Sequence, residues 1–163
     1  MRSLEHIKPA RNPTALVMEQ QPPSNGHDRA SAPWQGVARV MVCVGYNPVS
    51  QRLIERASYL AKAFGGELIA VHIRPDGGAP PGYQAMLEHN MTLARRRGAR
   101  IVLERGAPLA AVIVRTAQAH NVTHIVMGES ARSRFDEVRR GSLVRQVLGA
   151  SRGIDIYIVA DPA

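Results

Sequence analysis

The chain has 163 residues, which is enough for one domain with its own core, and no apolar run approaches the ~20 residues of a membrane-spanning helix. It starts without the apolar segment of a secretion signal and contains one cysteine, Cys43, so we expect a cytoplasmic protein without internal disulfides. The net charge of +8 favours anionic partners, although a GC-rich genome would equally explain why arginine far outnumbers lysine.

Composition divides the chain into two parts. Residues 1–36 are rich in Pro, Ser, Asn and Gln and show no sustained hydrophobic period, which is typical of a flexible N-terminal extension. From Val37 onward, β-branched runs alternate with stretches of helical period. We therefore predict an extension over residues 1–36 and one folded domain over residues 37–163.

The first strand and the first helix show the two patterns most clearly. Val37–Val44 is a nearly continuous β-branched run, as in a strand covered on both faces, and Val49–Phe64 places its apolar residues on one face of a helix. The alternation predicts strands over 37–44, 67–73, 99–104, 123–127 and 154–160 and helices over 49–64, 83–97, 108–120 and 142–150. Five parallel strands with crossover helices form a doubly wound α/β sheet, a flavodoxin- or Rossmann-like three-layer sandwich.

Two connections that follow strands are candidates for a binding site. The turn Gly45–Ser50 follows strand one, and the Arg- and Ser-rich loop Gly128–Ser142 follows strand four and ends where a helix begins. Small residues let the backbone approach a ligand, and N–H groups at a helix start favour negative charge, so this loop indicates nucleotide or phosphate binding. If strands one and four are neighbours, the two connections face each other across one crevice.

The loop after strand four also carries a family motif. Gly128 is followed at fixed spacing by Ala131 and, after nine intervening residues, by Gly141 and Ser142. This spacing resembles the nucleotide motif of the universal stress protein family, with Ala131 in place of one glycine. Residues 43–61 and the Gly-x-Ser-x-x-Ser-Arg-aromatic pattern that starts at Gly128 resemble more closely the universal-stress-like domain of Kdp-type potassium-sensing histidine kinases.

The resemblance implies an adenine nucleotide alpha hydrolase-like fold and a regulatory domain that needs no cofactor. Its ligand would be ATP, ADP, AMP or another anion. Carried over position by position, it places ligand contacts at Gly45, Tyr46, Asn47, Ser50, Gly128, Ser130, Arg132, Arg134, Gly141 and Ser142. Nucleotide-binding members have an Asp where this chain has Gly45, which leaves Tyr46 to stack on a base. Cyclic di-AMP, bound by some kinase-type members, is less favoured because only Ala70 matches the residues concerned.

Partners and alternatives follow from the same features. The resemblance implies a sensor kinase or a response regulator as partner, and a homodimer formed through strand five. A protein–protein scaffold with a degenerate pocket is the alternative function. A nucleic-acid-associated role is the weakest, because the basic cluster Arg95–Arg97 with Arg100 lacks interleaved aromatic residues.

Catalytic motifs are missing from the sequence. It contains neither the GxxxxGK[ST] phosphate loop nor the GxSxG nucleophile elbow. His120 and His124 straddle a helix end and a strand start, so they would not share a helical face as zinc ligands do. His72 and Cys43 lie in predicted strands and are expected to pack in the core. We therefore expect a domain that binds and regulates and does not catalyse a reaction.

Overall fold

The structure, a computed structural model, describes residues 36–78, 81–129 and 142–160. Residues 36–163 belong to one compact unit. Its strands are β1 (Arg39–Cys43), β2 (Glu67–Arg74), β3 (Arg100–Arg105), β4 (His124–Gly128) and β5 (Asp155–Val159), and its helices are α1 (Val49–Ala63), α2 (Gln84–Arg96), α3 (Leu109–Ala119) and α4 (Leu143–Ala150). The predicted alternation of strands and helices is confirmed, with ends that differ by one or two residues.

The five strands form one parallel sheet in the order β3-β2-β1-β4-β5. In the centre of the sheet, Val42 of β1 lies beside Ala70 of β2 on one side and Val126 of β4 on the other. The chain builds outward from β1 to β3, then crosses back to place β4 on the opposite side of β1. The order therefore reverses between β1 and β4, which is where open α/β sheets bind ligands.

Two aliphatic layers cover the two faces of the sheet. Val40 and Val42 are fully buried on the face that α1 and α2 cover, and Met41 is fully buried on the face that α3 and α4 cover. Because successive side chains of a strand point to opposite faces, the continuous apolar run of β1 fills both layers. The prediction of a doubly wound three-layer sandwich is thereby confirmed.

Two predicted features lie outside the residues that the structure describes. The predicted extension over residues 1–36 lies, apart from Gly36, outside the described residues, and the loop over residues 130–141 lies outside them as well. The division into an extension and one domain therefore stays a prediction. Within the described residues, none of the helices combines the length and the apolar character needed to cross a membrane.

Candidate functional site

A cleft of about 590 Å³ opens at the carboxyl ends of β1, β2, β3 and β4. One side of it is formed by the end of β1 and the turn that follows, from Cys43 to Asn47, together with Val49, Ser50 and Leu53 of α1. The other described parts of its lining are Val71–Ile73, Pro75, Tyr83, Gly106, Ala107, Leu109, Ile113, Met127–Glu129 and Leu143. The cleft thus occupies the point where the strand order reverses.

The turn after β1 is held by two buried polar side chains. Ser50 Oγ accepts a hydrogen bond of 2.9 Å from the N–H of Gly45 and donates one of 3.3 Å to the carbonyl of the same residue. Asn90 reaches up from α2, and its Nδ2 donates to the carbonyls of Gly45 (3.1 Å) and Asn47 (3.0 Å). Ser50 is 1% exposed and Asn90 is 0% exposed, so both side chains that hold the turn are shielded from water. The turn is therefore a fixed element of the cleft.

The direction of the turn's peptide groups matters for binding. The carbonyls of Gly45 and Asn47 accept hydrogen bonds from Asn90 and Ser50, whereas the N–H groups of Tyr46 and Asn47 donate no hydrogen bond to any described residue. Backbone N–H groups in folded proteins are normally paired with protein, water or a ligand. These two donors, next to the start of α1, are therefore suited to an acceptor-rich group.

Tyr46 and His72 form a buried pair at the base of the cleft. His72 Nδ1 lies 2.9 Å from the carbonyl of Val44, so this nitrogen carries the proton, and the neutral Nε2 accepts from the Tyr46 hydroxyl at 3.1 Å. Burial lowers the pKa of His72; the bond to Val44 opposes the shift and the charge of Arg74 adds to it. Both ring nitrogens are engaged, so His72 supports the base of the cleft and offers no free general base.

The sulfur in the cleft is equally unsuited to chemistry. Cys43 lines the cleft, but burial raises the pKa of its thiol to about 12, so the thiolate is scarcely populated at neutral pH. No group of three or more His, Cys, Asp or Glu side chains within residues 36–78, 81–129 and 142–160 is arranged to hold a metal ion. What the described lining offers is a shaped, largely apolar volume bordered by main-chain donors.

Comparison with known proteins gives the family. Residues 36–153 match the universal stress protein family. The chain belongs to the universal stress protein family. It is similar to the sensor protein KdpD of Mycobacterium tuberculosis, at 34% identity over 137 residues, which are 83% of this chain and 16% of that protein. KdpD of Escherichia coli K12 is 25% identical over 146 residues, which are 88% of this chain and again 16% of the longer protein.

Solved universal stress proteins share the fold. A universal stress protein in complex with cAMP superimposes with a TM-score of 0.57 at 23% identity, covering 75% of this chain and 95% of the other. The universal stress protein of Archaeoglobus fulgidus in complex with dAMP gives 0.53 at 18% identity, covering 74% and 96%. This universal stress domain therefore has the flavodoxin-like adenine nucleotide alpha hydrolase fold, which confirms the resemblance seen in the sequence.

Five of the predicted site residues meet in the cleft of this universal stress domain. They are Gly45, Tyr46, Asn47, Ser50 and Gly128. Ser142 caps α4, its Oγ accepting from the N–H of Arg145 at 3.2 Å, and its neighbour Leu143 lines the cleft. The other predicted contacts, Ser130, Arg132, Arg134 and Gly141, lie outside the described residues. All ten ligand contacts stay predictions.

Two residues that matter to the cleft were missed in the sequence. Asn90 fixes the turn after β1 from a position in mid-helix, and Tyr83 lines the cleft from the residue before α2. Neither belongs to a motif, and both lie far along the chain from the turn that they adjoin. The sequence signal that could have pointed to Asn90 is its place as a polar residue on the apolar face of α2, beside Leu87, Met91 and Ala94.

Proposed function

We propose that this domain is a regulatory module that binds an anionic adenine nucleotide in the cleft and does not turn it over. The observation that carries the proposal is the meeting of the β1 turn with the end of β4 at one cleft, although Gly45 and Gly128 lie more than eighty residues apart. Nucleotide complexes of two structural neighbours, with cAMP and with dAMP, support this ligand class. ATP, ADP and AMP are the first candidates, and cyclic di-AMP is less favoured.

The proposed binding mode uses donors on both sides of the cleft. The N–H groups of Tyr46 and Asn47 would serve the polar part of the ligand on the β1 side. On the β4 side, the amides of Gly141 and Ser142 at the start of α4 would hold phosphate, helped by the hydroxyl groups of Ser130 and Ser142. Arg132 or Arg134 would supply the countercharge.

A binding role fits the described lining better than a catalytic one. Glu129 is its only carboxylate, the thiol of Cys43 is held protonated, and both nitrogens of His72 are hydrogen-bonded. Nucleophilic catalysis needs an activated nucleophile beside a free base, and general acid–base catalysis needs a group poised near neutral pH. We propose that binding instead alters a surface that a partner recognises.

The relatives suggest the signalling context. The chain spans 16% of the length of the KdpD proteins from Mycobacterium tuberculosis and Escherichia coli. We propose that it regulates a sensor kinase or response regulator of that class, inside the cytoplasm. What the rest of a sensor kinase does lies beyond the segment that is similar.

The alternative is a scaffold that pairs through β5. This edge strand exposes Tyr157 (36%) and Ile158 (52%), and Leu148 on the adjoining α4 is 61% exposed. An unpaired strand edge with apolar side chains is suited to pairing with a second copy. A nucleic-acid role has less support, because in the basic cluster Arg97 already pairs with Glu55 at 3.4 Å.

Calorimetric titration of the purified chain with ATP, ADP, AMP and cyclic di-AMP tests the proposal. We expect at least one adenine nucleotide to bind with 1:1 stoichiometry, and Arg134→Ala to weaken binding about tenfold, as loss of a charge-assisted phosphate contact predicts. Arg115→Ala is the matched control, because Arg115 is exposed on α3 and does not line the cleft. Absence of binding by all four nucleotides, together with a stable dimer in light scattering, would instead favour the scaffold.

A further inference from the structure

We infer that Tyr83 is the stacking surface for the ring of the ligand that binds in the cleft. This inference rests on the proposed function and adds a residue to it. It draws on the distribution of polarity in the cleft, on the exposure of Tyr83, and on the burial of the other aromatic residue in the cleft.

Polarity changes across the cleft along the order of the strands. On the β2–β3 side the lining includes Ile73, Pro75, Tyr83, Ala107 and Leu109, which are all apolar or aromatic. The polar side chain on this side is that of His72, which is buried and hydrogen-bonded through both ring nitrogens. None of the described lining residues is Lys or Arg, and the single carboxylate, that of Glu129, follows β4 on the other side. A planar ring on the β2–β3 side would therefore cover mostly apolar surface.

Tyr83 is the accessible aromatic residue of this side. Its side chain is 49% exposed although it lines the cleft. It occupies the N-cap position of α2, where Ser, Thr, Asp or Asn would accept a hydrogen bond from the helix, and its side chain makes no such bond. A smaller polar residue would cap the helix better, so capping does not explain a tyrosine at this position. An open aromatic face beside an apolar compartment is the arrangement that binds planar rings.

Tyr46 cannot take this role in the same structure. Its ring is 6% exposed, its hydroxyl is hydrogen-bonded to His72, and the His72 ring meets it edge-on at 4.8 Å between centroids. Tyr46 lies 6.4 Å from Tyr83, ring centre to ring centre, at an interplanar angle of 70°. It thereby supports Tyr83 from the side. The stacking that the sequence assigned to Tyr46 is thus transferred to Tyr83.

Specificity for the base follows from a stacked ring. Stacking favours the larger purine surface over a pyrimidine, so affinity for ATP should exceed affinity for CTP. Ribose 5-phosphate, which has no base, should bind far more weakly than AMP.

Three variants of the full chain test the inference by titration with ATP, AMP and CTP. Tyr83→Leu keeps an apolar side chain but removes the aromatic face, and Tyr83→Phe keeps the face and removes the hydroxyl. Tyr59→Leu is the matched control, since Tyr59 is 70% exposed on α1 and does not line the cleft. We expect Tyr83→Leu to weaken ATP and AMP about 5- to 100-fold, as loss of one base–aromatic stack predicts, and to reduce the preference for ATP over CTP. Tyr83→Phe and Tyr59→Leu should bind like the wild type.

A measurement on the wild-type chain does not depend on how the variants fold. In NMR spectra of the AMP complex, the adenine H2 and H8 signals should shift upfield from the Tyr83 ring current and show cross-relaxation to its ring protons. If wild type binds ATP or AMP and Tyr83→Leu binds equally well, or if the cross-relaxation is absent, the inference is wrong while the proposed function stands. If wild type binds none of the nucleotides, both fail together.

Discussion

The two ends of the parallel sheet differ in the charged side chains and backbone groups that they offer to a ligand. At the amino end, a hollow of about 450 Å³ is lined by Lys62, Arg97 and Arg100, but α1 and α2 also end there. Their last carbonyls carry partial negative charge, which Lys62 in the last turn of α1 offsets, while Arg97 pairs with Glu55 and Arg100 is hydrogen-bonded to His120. At the carboxyl end, none of the described lining residues of the cleft is a cation, yet the N–H groups of Tyr46 and Asn47 make no hydrogen bond within the described chain. The proposed function therefore places the anion at the end that has main-chain donors without a described partner and not at the end that has more basic side chains.

Each end also buries one histidine, with different surroundings. His72, at the carboxyl end, is hydrogen-bonded through both nitrogens to parts of the cleft. His124, at the amino end, stacks on Phe64 with ring centroids 4.7 Å apart and lies 3.6 Å from Asp155. Burial lowers the pKa of both, and the charge of Asp155 opposes the shift at His124. The carboxyl-end histidine supports the shape of a cleft, and the amino-end one fills a packed layer.

Removing Asn90 should produce the largest change at the carboxyl end. Asn90→Ala deletes both hydrogen bonds to the β1 turn, and we expect a loss of about 2 kcal/mol in the free energy of unfolding. Urea denaturation monitored by circular dichroism measures it. His89→Ala is the control, since this exposed neighbour on α2 gains the same helix propensity without losing a buried contact. Equal stability of the two variants would show that the turn is held by Ser50 alone.

The role of Asn90 also marks the limit of what sequence reveals here. The run from Val37 to Val44 predicted a strand covered on both faces because period and residue type are local properties, and the alternation of elements predicted the sheet. Topology rules predicted that the β1 turn and the end of β4 share one crevice if strands one and four are neighbours, as they are in the structure. Asn90 and Tyr83 followed from neither, because their importance depends on contacts with Asn47 and Tyr46 more than thirty residues away. Ser50 was named as a ligand contact, and the structure adds that it holds the turn.

Acid should weaken the fold at both ends of the sheet. Because the folded state lowers the pKa of His72 and His124, the unfolded chain binds protons more readily below the ordinary histidine value of 6.5. Above that pH both histidines are neutral in the folded and in the unfolded chain, so stability is undiminished. As the pH falls below it, proton binding by the unfolded chain lowers the free energy of unfolding. Urea midpoints should therefore be constant from pH 8 to 7 and fall between pH 6.5 and 5. His124→Asn should flatten that fall in part, and a wild-type midpoint that stays level down to pH 5 would contradict the assignment.

The smallest effect is expected from the most conspicuous charges, at the amino end. Arg97→Ala breaks the ion pair with Glu55, whose partners are 42% and 57% exposed, and solvent screening limits its worth to about 0.2–1 kcal/mol at low salt. The loss should shrink further at 1 M NaCl, where the Debye length is about 3 Å.

Arg96→Ala, which removes a neighbouring exposed arginine of α2, controls for the change in net charge and in helix-end electrostatics. Neither variant should alter nucleotide affinity, because both arginines lie at the amino end of the sheet and neither lines the cleft at its carboxyl end. A drop in nucleotide affinity specific to Arg97→Ala would place a ligand at the amino end and reverse the contrast between the two ends.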